Sequence, residues 1–329
     1  MGARLRVLLD PFIVMLLGTV ALASLFPPYG PAAAVFEWAA DIAIFLLFFL
    51  HGAKLSREAI IDGARNWRLH LTVLAVTFIL FPIFGLGIAA IPGLVPIIGT
   101  GMLFLTLLPS TVQSSIAFTS VARGNVAAAV CSASFSNLIG IFITPVLAAL
   151  LMGGHMGGMS LDSVGAIAVQ LLLPFVVGHL LRPWIGGFVT RHKPLLTIVD
   201  RGSILLVVYT AFGAAVVGGI WRRLSGDELL LIVGLSIVLL AAVLLSTWAI
   251  GKAMGFPRGD AIVLLFCGSK KSLASGVPMA GVLFAPAQVG AIILPLMVFH
   301  QIQLIACAVI ARRYAATADR EHRDVVAAS

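Results

Sequence analysis

The stretch FCGSKKSLASGVPMA, residues 266–280, sets Lys270 and Lys271 side by side in the middle of an apolar run. Each lysine near the centre of a bilayer costs roughly 2.5–3.5 kcal/mol on insertion scales, so an adjacent pair requires partners or water. Both stand about ten residues, or roughly 15 Å of helix rise, from either end of the run, too far for both to snorkel. Neighbouring helical positions diverge by about 100°, which gives the two side chains separate surroundings and separate tasks. Gly268-Ser269 interrupts the helix just ahead of the pair.

Outward from this stretch, the 329 residues are 60% hydrophobic and only 10% charged, in repeated apolar runs. Runs of about twenty residues have the length that spans a bilayer core. They are continuously apolar rather than alternating, so the chain is predicted to be an all-α integral membrane protein, not a β-barrel. The net charge of +8 lies in short loops between runs, where it orients the protein; the partner it implies is the lipid bilayer, with no nucleic acid. Cys131, Cys267 and Cys307 fall inside apolar runs and form no CxxC pair, so they read as small buried hydrophobes. The N-terminus imitates a signal peptide, but Asp10-Pro11 interrupts it and many runs follow, so it reads as the first helix.

Hydropathy predicts ten transmembrane helices, at about 8–26, 34–52, 70–91, 95–122, 126–152, 162–182, 199–220, 228–251, 259–284 and 288–311. One set of loops carries Arg4, Arg6, Lys54, Arg57, Arg65, Arg68, Arg123, Arg182, Arg191, Lys193, Arg201, Lys252, Arg258, Arg312, Arg313, Arg320 and Arg323; the opposite set carries Arg222 and Arg223. The positive-inside rule then puts both termini in the cytoplasm. LLPSTVQSSIAFTSVARGN in the fourth run and LFCGSKKSLASGVPMAGV in the ninth share a pattern of apolar half, break and Ser/Ala-rich half. Five being odd, two copies of five must be inverted, so 1–155 and 156–312 form two inverted five-helix repeats of one transporter unit, with 313–329 a mobile cytoplasmic tail.

Pro109 removes an amide donor in the fourth run, and freed backbone groups there line a site or are patched by Ser110, Thr111 and Gln113. Two broken helices that cross offer donors to an anion and carbonyls to a cation. At least one lysine ammonium is expected against the carbonyl ends of the first half-helix; the alternative is that the pair neutralises a buried carboxylate, Asp41 being the best candidate. Ser132, Ser134, Ser136 and Asn137 are candidate cavity residues, although small hydroxyls serve more commonly in helix packing. His300 and Gln301 lie within reach of a midplane site, and a histidine there is able to carry a proton. Glu37 reads as interfacial and His179 as structural. No Ser/His/Asp order, HExxH, P-loop or dinucleotide fingerprint occurs, which argues against an enzyme and against an ATP-driven pump.

The PST-Q-SS break followed by ARGN, and FCGSKKSLASGVPMA with FHQIQL and ARRYA, resemble the bile acid:sodium symporter superfamily, in its bacterial symporter-like branch related to the vertebrate solute carrier 10 member 7 proteins. The resemblance implies panel and core domains, with discontinuous helices four and nine crossing in the core. In the sodium-coupled relatives that crossing holds two sodium ions, and the solute binds between core and panel. By position, Ser114 and Ser115 fall near the relatives' Ser-Asn pair, which makes sodium possible there. Phe266 stands where those relatives have a sodium-binding glutamate, Lys270 and Lys271 where they have Gln and Asn, and Ala129 and Ala133 where they have two hydroxyl ligands.

Losing a carboxylate and gaining ammonium groups makes a site hostile to Na⁺. The expectation is a secondary transporter of a small organic anion with Ser110, Thr111, Gln113, Ser114, Ser115, Ser132, Ser136, Asn137, Ser269, Lys270, Lys271, Ser272, His300 and Gln301 at its ion and solute sites. It has no cofactor, and its coupling ion is sodium or, with a lysine as tethered cation, a proton. The setting is the bacterial inner membrane. A transport-inactive scaffold of the same fold is the alternative. Solute identity, direction of transport and oligomeric state stay open.

Overall fold

In lipid every amide must be satisfied within its own segment, and apolar runs of this length do so as helices. The computed structural model describes residues 11–54, 66–152, 161–219 and 225–328, and among them there is no strand. Arg4, Arg6, Arg57, Arg65, Arg222 and Arg223, used above for orientation, lie outside the described residues.

In chain order the helices are α1 (Pro11–Leu25), α2 (Pro31–Lys54), α3 (Trp67–Ala89), α4 (Pro96–Leu107), α5 (Gln113–Val121), α6 (Val126–Met152), α7 (Leu161–Arg191), α8 (Lys193–Val217), α9 (Gly226–Ala253), α10 (Arg258–Gly268), α11 (Leu273–Leu283) and α12 (Pro286–Ala328). Seven of them, α2, α3, α6, α7, α8, α9 and α12, are long and apolar enough to cross a membrane. Their starts follow local chemistry. Pro31, Pro96 and Pro286 open helices, where a missing N–H costs nothing. Ser225 and Glu228 form a reciprocal capping box on α9. The ARGN turn ends α5 with Arg123 left-handed at φ 57° and the Gly124 N–H on Thr119 O. Asn125 then caps α6 through the Ala128 N–H and donates to Asp260, which also accepts from Asn66.

Packing draws α2 against α7 and α8, α1 against α8, and α12 against α8, α4 and α9. The α2–α7 contact needs glycine on both sides: a Cβ at Gly52 would lie 2.0 Å from Phe175 O, and one at Gly178 would lie 2.0 Å from Phe49 O. Small residues let membrane helices approach to backbone contact. The outer faces carry exposed Trp38, Ile79, Leu150, Leu230 and Leu245, as a lipid-facing surface requires.

Two expectations are corrected. The basic stretch between Arg182 and Arg201 is not a loop: α7 runs on to Arg191 and α8 restarts at Lys193, with Pro194 in its first turn and only His192 between them. Nor does the last predicted helix, 288–311, end where hydropathy drops, because α12 continues to Ala328. The segment 313–328 holds no Gly or Pro and is rich in Ala and Arg, strong helix formers.

Candidate functional site

Both predicted interruptions are present, and they meet. Pro109 has no N–H for the turn before it and forces Leu108 into extended backbone at φ −75°, ψ 155°, so α4 stops at Leu107. Gly140 seats the proline ring: a Cβ there would lie 2.6 Å from Pro109 Cβ. On the other side α10 stops at Gly268, and α11 starts after Ser272, whose Oγ accepts the Ser275 N–H at 3.2 Å.

The backbone groups released by the breaks are taken up by one another and by neighbouring side chains. The Ser272 N–H donates to Pro109 O at 2.9 Å. Ser110 Oγ donates to Cys267 O at 2.5 Å and Ser115 Oγ to Phe266 O at 3.1 Å. The Ser110 N–H meets Ser136 Oγ at 2.9 Å, and Asn137 Nδ2 meets Ser110 O at 2.6 Å. Thr144 Oγ1 covers Leu107 O at 2.8 Å, and Ser269 Oγ covers Leu265 O at 2.5 Å. Gln303 embraces Lys271: its Oε1 accepts the Lys271 N–H at 2.9 Å and its Nε2 donates to Lys271 O at 3.0 Å. That pairing fixes the amide orientation, so the second Nε2 hydrogen points at His300 Nδ1, 2.8 Å away, which acts as acceptor.

Both lysines are fully buried, in different settings. Lys271 Nζ donates to Leu108 O and Thr106 O, both at 2.7 Å, and to Thr77 O at 2.8 Å, using all three of its hydrogens. The Thr77 carbonyl is available for a reason visible in α3. Residues Val76–Leu80 form a π-helical turn in which the Phe81 N–H reaches back to Val76 O, skipping Thr77, and the next residue, Pro82, has no N–H. Phe81 lies under the ammonium, 4.1 Å from ring centroid to Nζ. Lys270 Nζ has a long contact to Ser114 Oγ at 3.4 Å and ring faces of Phe118 at 4.4 Å and Phe266 at 5.6 Å. Neither ammonium meets a carboxylate; among the described residues the one ion pair is Lys54–Asp200.

Beside the breaks lies a cavity of about 370 Å³. Of the predicted residues, Thr111, Gln113, Ser114, Asn137, Ser272 and His300 line it. Ser110, Ser115, Ser136, Ser269, Lys270 and Lys271 lie behind this lining, in the contacts given above. Ser132 is turned away, to His70 Nδ1 at 2.7 Å. Gln301 is half-buried and outside the lining; the amide that works at the break is Gln303, two positions on. Asp41 is exposed, and the contacts of the two lysines do not include it. The sequence reading missed the far wall, where Thr197, Asp200 and Arg201 of α8 face the cavity with His51 of α2. Arg201 stacks on Phe12 at 5.4 Å. The signal was an Asp-Arg pair followed by an apolar run, placed at a loop end instead of inside a helix.

The sequence profile of the SBF-like CPA transporter family matches residues 10–316. The chain belongs to that family. It is 55% identical over 320 residues to the Pseudomonas aeruginosa protein PA2026, covering 96% of each chain. It is equally 55% identical over 309 residues to the Escherichia coli (strain K12) protein named "Putative symporter YfeH", covering 93% of each. Sodium/bile acid cotransporter 7 of Xenopus tropicalis is 26% identical over 314 residues, covering 93% of this chain and 91% of its own. The resemblance read from the lysine motif is thus the chain's family, and the protein is an integral membrane protein of a transporter family.

Proposed function

We propose that the protein is a secondary active transporter of a small organic anion in which ammonium groups stand where sodium-coupled relatives hold their ions. The observation that carries this reading is Lys271 Nζ on Thr106 O, Leu108 O and Thr77 O. Converging carbonyls at a broken helix end are the coordination a hard cation takes up in transporters of this kind. Here that coordination is filled from within the chain. Lys270 holds the neighbouring position at Ser114, where a sodium ion was otherwise expected. Two like charges at such spacing repel any further cation by several kcal/mol in a poorly solvated site, so coupling runs through a proton or through no cation.

The cavity is the solute site in this reading. Arg201 on its far wall and the hydroxyls and amides at the breaks supply donors to an anion, and Phe118, Leu273 and Ile305 supply apolar surface. The ten membrane elements are read as two inverted sets of five, 1–155 and 156–312, with α4–α5 and α10–α11 as the crossing pair of a core that rocks against a panel. Both termini lie in the cytoplasm by the Lys and Arg pattern, and the membrane is the bacterial inner membrane.

Thermal unfolding of the purified protein against Na⁺, with choline keeping ionic strength constant, tests the ion assignment. A ligand that binds only the folded state raises apparent stability by mass action. The expected response is flat; a saturable, Na⁺-specific rise overturns the tethered-cation assignment. Uptake of carboxylates, sulfonates and phosphate esters into proteoliposomes tests the transport reading, which predicts uptake that does not depend on a Na⁺ gradient and is lost in Arg201→Gln.

A further inference from the structure

His300 of α12 lines the cavity and is half-buried. The Gln303 amide, three positions further along α12 and fully buried, joins it to the second break. That amide makes three bonds at once. Its Oε1 accepts the Lys271 N–H at 2.9 Å, its Nε2 donates to Lys271 O at 3.0 Å, and the other Nε2 hydrogen goes to His300 Nδ1 at 2.8 Å. An imidazole whose Nδ1 accepts is neutral, with its hydrogen on Nε2, so a second proton has to land on Nδ1. There it would face the Nε2 hydrogen of Gln303. Turning the amide over gives the new Nδ1–H an oxygen, but sets that oxygen against Lys271 O and the NH₂ group against the Lys271 N–H. No orientation of one amide satisfies both a protonated His300 and the Lys271 backbone.

We propose that His300 is a proton-binding site and that a proton taken up there opens the Gln303 clamp on the α10–α11 break. The role of the site in transport rests on the reading given above, which it deepens by naming the group through which a proton acts. A proton arriving from the cavity adds a second cation to a space that already holds Arg201, and so favours an anion there; by linkage the anion favours the proton to the same degree. The two hydrogen bonds by which α12 holds Lys271 are given up in the same step. Other titratable groups surround the site. The cavity also holds His51, Asp200 and Arg201, with Asp200 paired to Lys54. His51 Nδ1 donates to Leu47 O at 2.8 Å, which ties it to its own helix and not to the break. α8 adds Lys193 in its first turn and Tyr209, whose hydroxyl donates to Phe26 O. At the break stand the ammoniums of Lys270 and Lys271, the former beside the Cys267 and Cys307 thiols. α4, α5 and α11, which also pack on α12, carry no titratable side chain, and α9 carries Asp227, Glu228 and Lys252 in its end turns.

Lys270–Lys271 is the one Lys-Lys peptide bond in the sequence. Lysine isotope-labelled at its carbonyl carbon and amide nitrogen therefore gives a single carbonyl–amide cross-peak, that of the Lys271 N–H held by Gln303. The full chain in lipid bilayers, carrying this label and nitrogen-labelled histidine, is titrated by solid-state NMR from about pH 8 to about pH 5, the range in which histidines ordinarily change charge. His300 is assigned by difference from His300→Gln, whose side chain keeps an acceptor for Gln303 and takes up no proton. At the alkaline end a bare Nδ1 and a hydrogen-bearing Nε2 are expected. On acidification the imidazole signals and the Lys271 cross-peak are expected to move in step, and the cross-peak to stay still in His300→Gln. A hydrogen on Nδ1 at the alkaline end, a His300 still neutral at the acid end, or an imidazole that takes up its proton while the cross-peak stays still overturns the proposal. So does a cross-peak that moves equally in His300→Gln. Should that variant fail to fold, the through-space signal between His300 Nδ1 and the Gln303 amide, 2.8 Å apart, supplies the assignment and the wild-type titration decides. No solute enters these measurements, so a failure here leaves sodium-independent uptake standing, and a failure of uptake leaves the proton site standing.

Discussion

Lys270 and Lys271 are neighbours in sequence, equally buried, and held in opposite ways. Lys271 has a full set of three carbonyl acceptors at 2.7–2.8 Å from two places in the fold, two at the broken end of α4 and one on the π turn of α3. Lys270 has ring faces and one hydroxyl contact at 3.4 Å. The first is a ligand that completes a coordination shell; the second is a charge in a soft, incompletely bonded cage. A buried polar group is costly to orphan and much less costly to delete together with its partners, so the two should respond differently to substitution.

The largest effect is expected from Lys271→Met. It strands the three carbonyls of Thr77, Thr106 and Leu108 in a dry interior, at about 1–3 kcal/mol for each orphaned group. Detergent-solubilised protein should lose most of its folded fraction or unfold at a much lower temperature; a variant as stable as the wild type would remove the distinction between the lysines.

Gln303→Leu comes next. It releases the backbone N–H and C=O of Lys271 while leaving the ammonium in place, with an expected loss of about 2 kcal/mol by thermal or denaturant unfolding. Gln301→Leu, outside the lining, should lose less than about 0.5 kcal/mol by the same measurement. Equal losses in the two variants would mean that the clamp on Lys271 contributes nothing specific.

The smallest stability effect belongs to Lys270→Met, which keeps most of the side chain's volume and leaves one hydroxyl with an alternative partner, Ser114 Oγ also donating to Thr111 Oγ1 at 2.9 Å. Less than about 1 kcal/mol is expected. Proteoliposome uptake should nevertheless be lost, since the charge goes while the fold stays. A Lys270→Met protein that unfolds as readily as Lys271→Met would show that both ammoniums are structural.

Much of this arrangement was legible in the residues. Pro109 and Gly268-Ser269 announced two interruptions inside apolar runs, because a missing amide donor and a residue without Cβ act on their own turn whatever surrounds them. Lys270 and Lys271 announced that something polar had to meet the second interruption. Other features were not legible because they depend on who arrives from elsewhere. Asp41 looked deep enough to pair with a lysine by its position along a run, yet a helix has a lipid face and an inner face at every depth, and Asp41 is on the exposed one. Gln301 and Gln303 differ by two positions, about 200° around the helix, and only packing chooses which of them looks at the break.

Composition and run length by themselves determined that this chain is a helical membrane protein, since the bilayer accepts no other use of such segments, and the lysine motif determined its family. Only the tertiary structure decided what the lysines do. The acceptors of Lys271 come from residues 77, 106 and 108, more than 160 positions away in each case, and a π turn beside Pro82 supplies one of them. Chain proximity gives no hint of such a meeting, because hydrogen bonds of this kind form between helices that pack, and packing is settled by the whole set of surfaces at once.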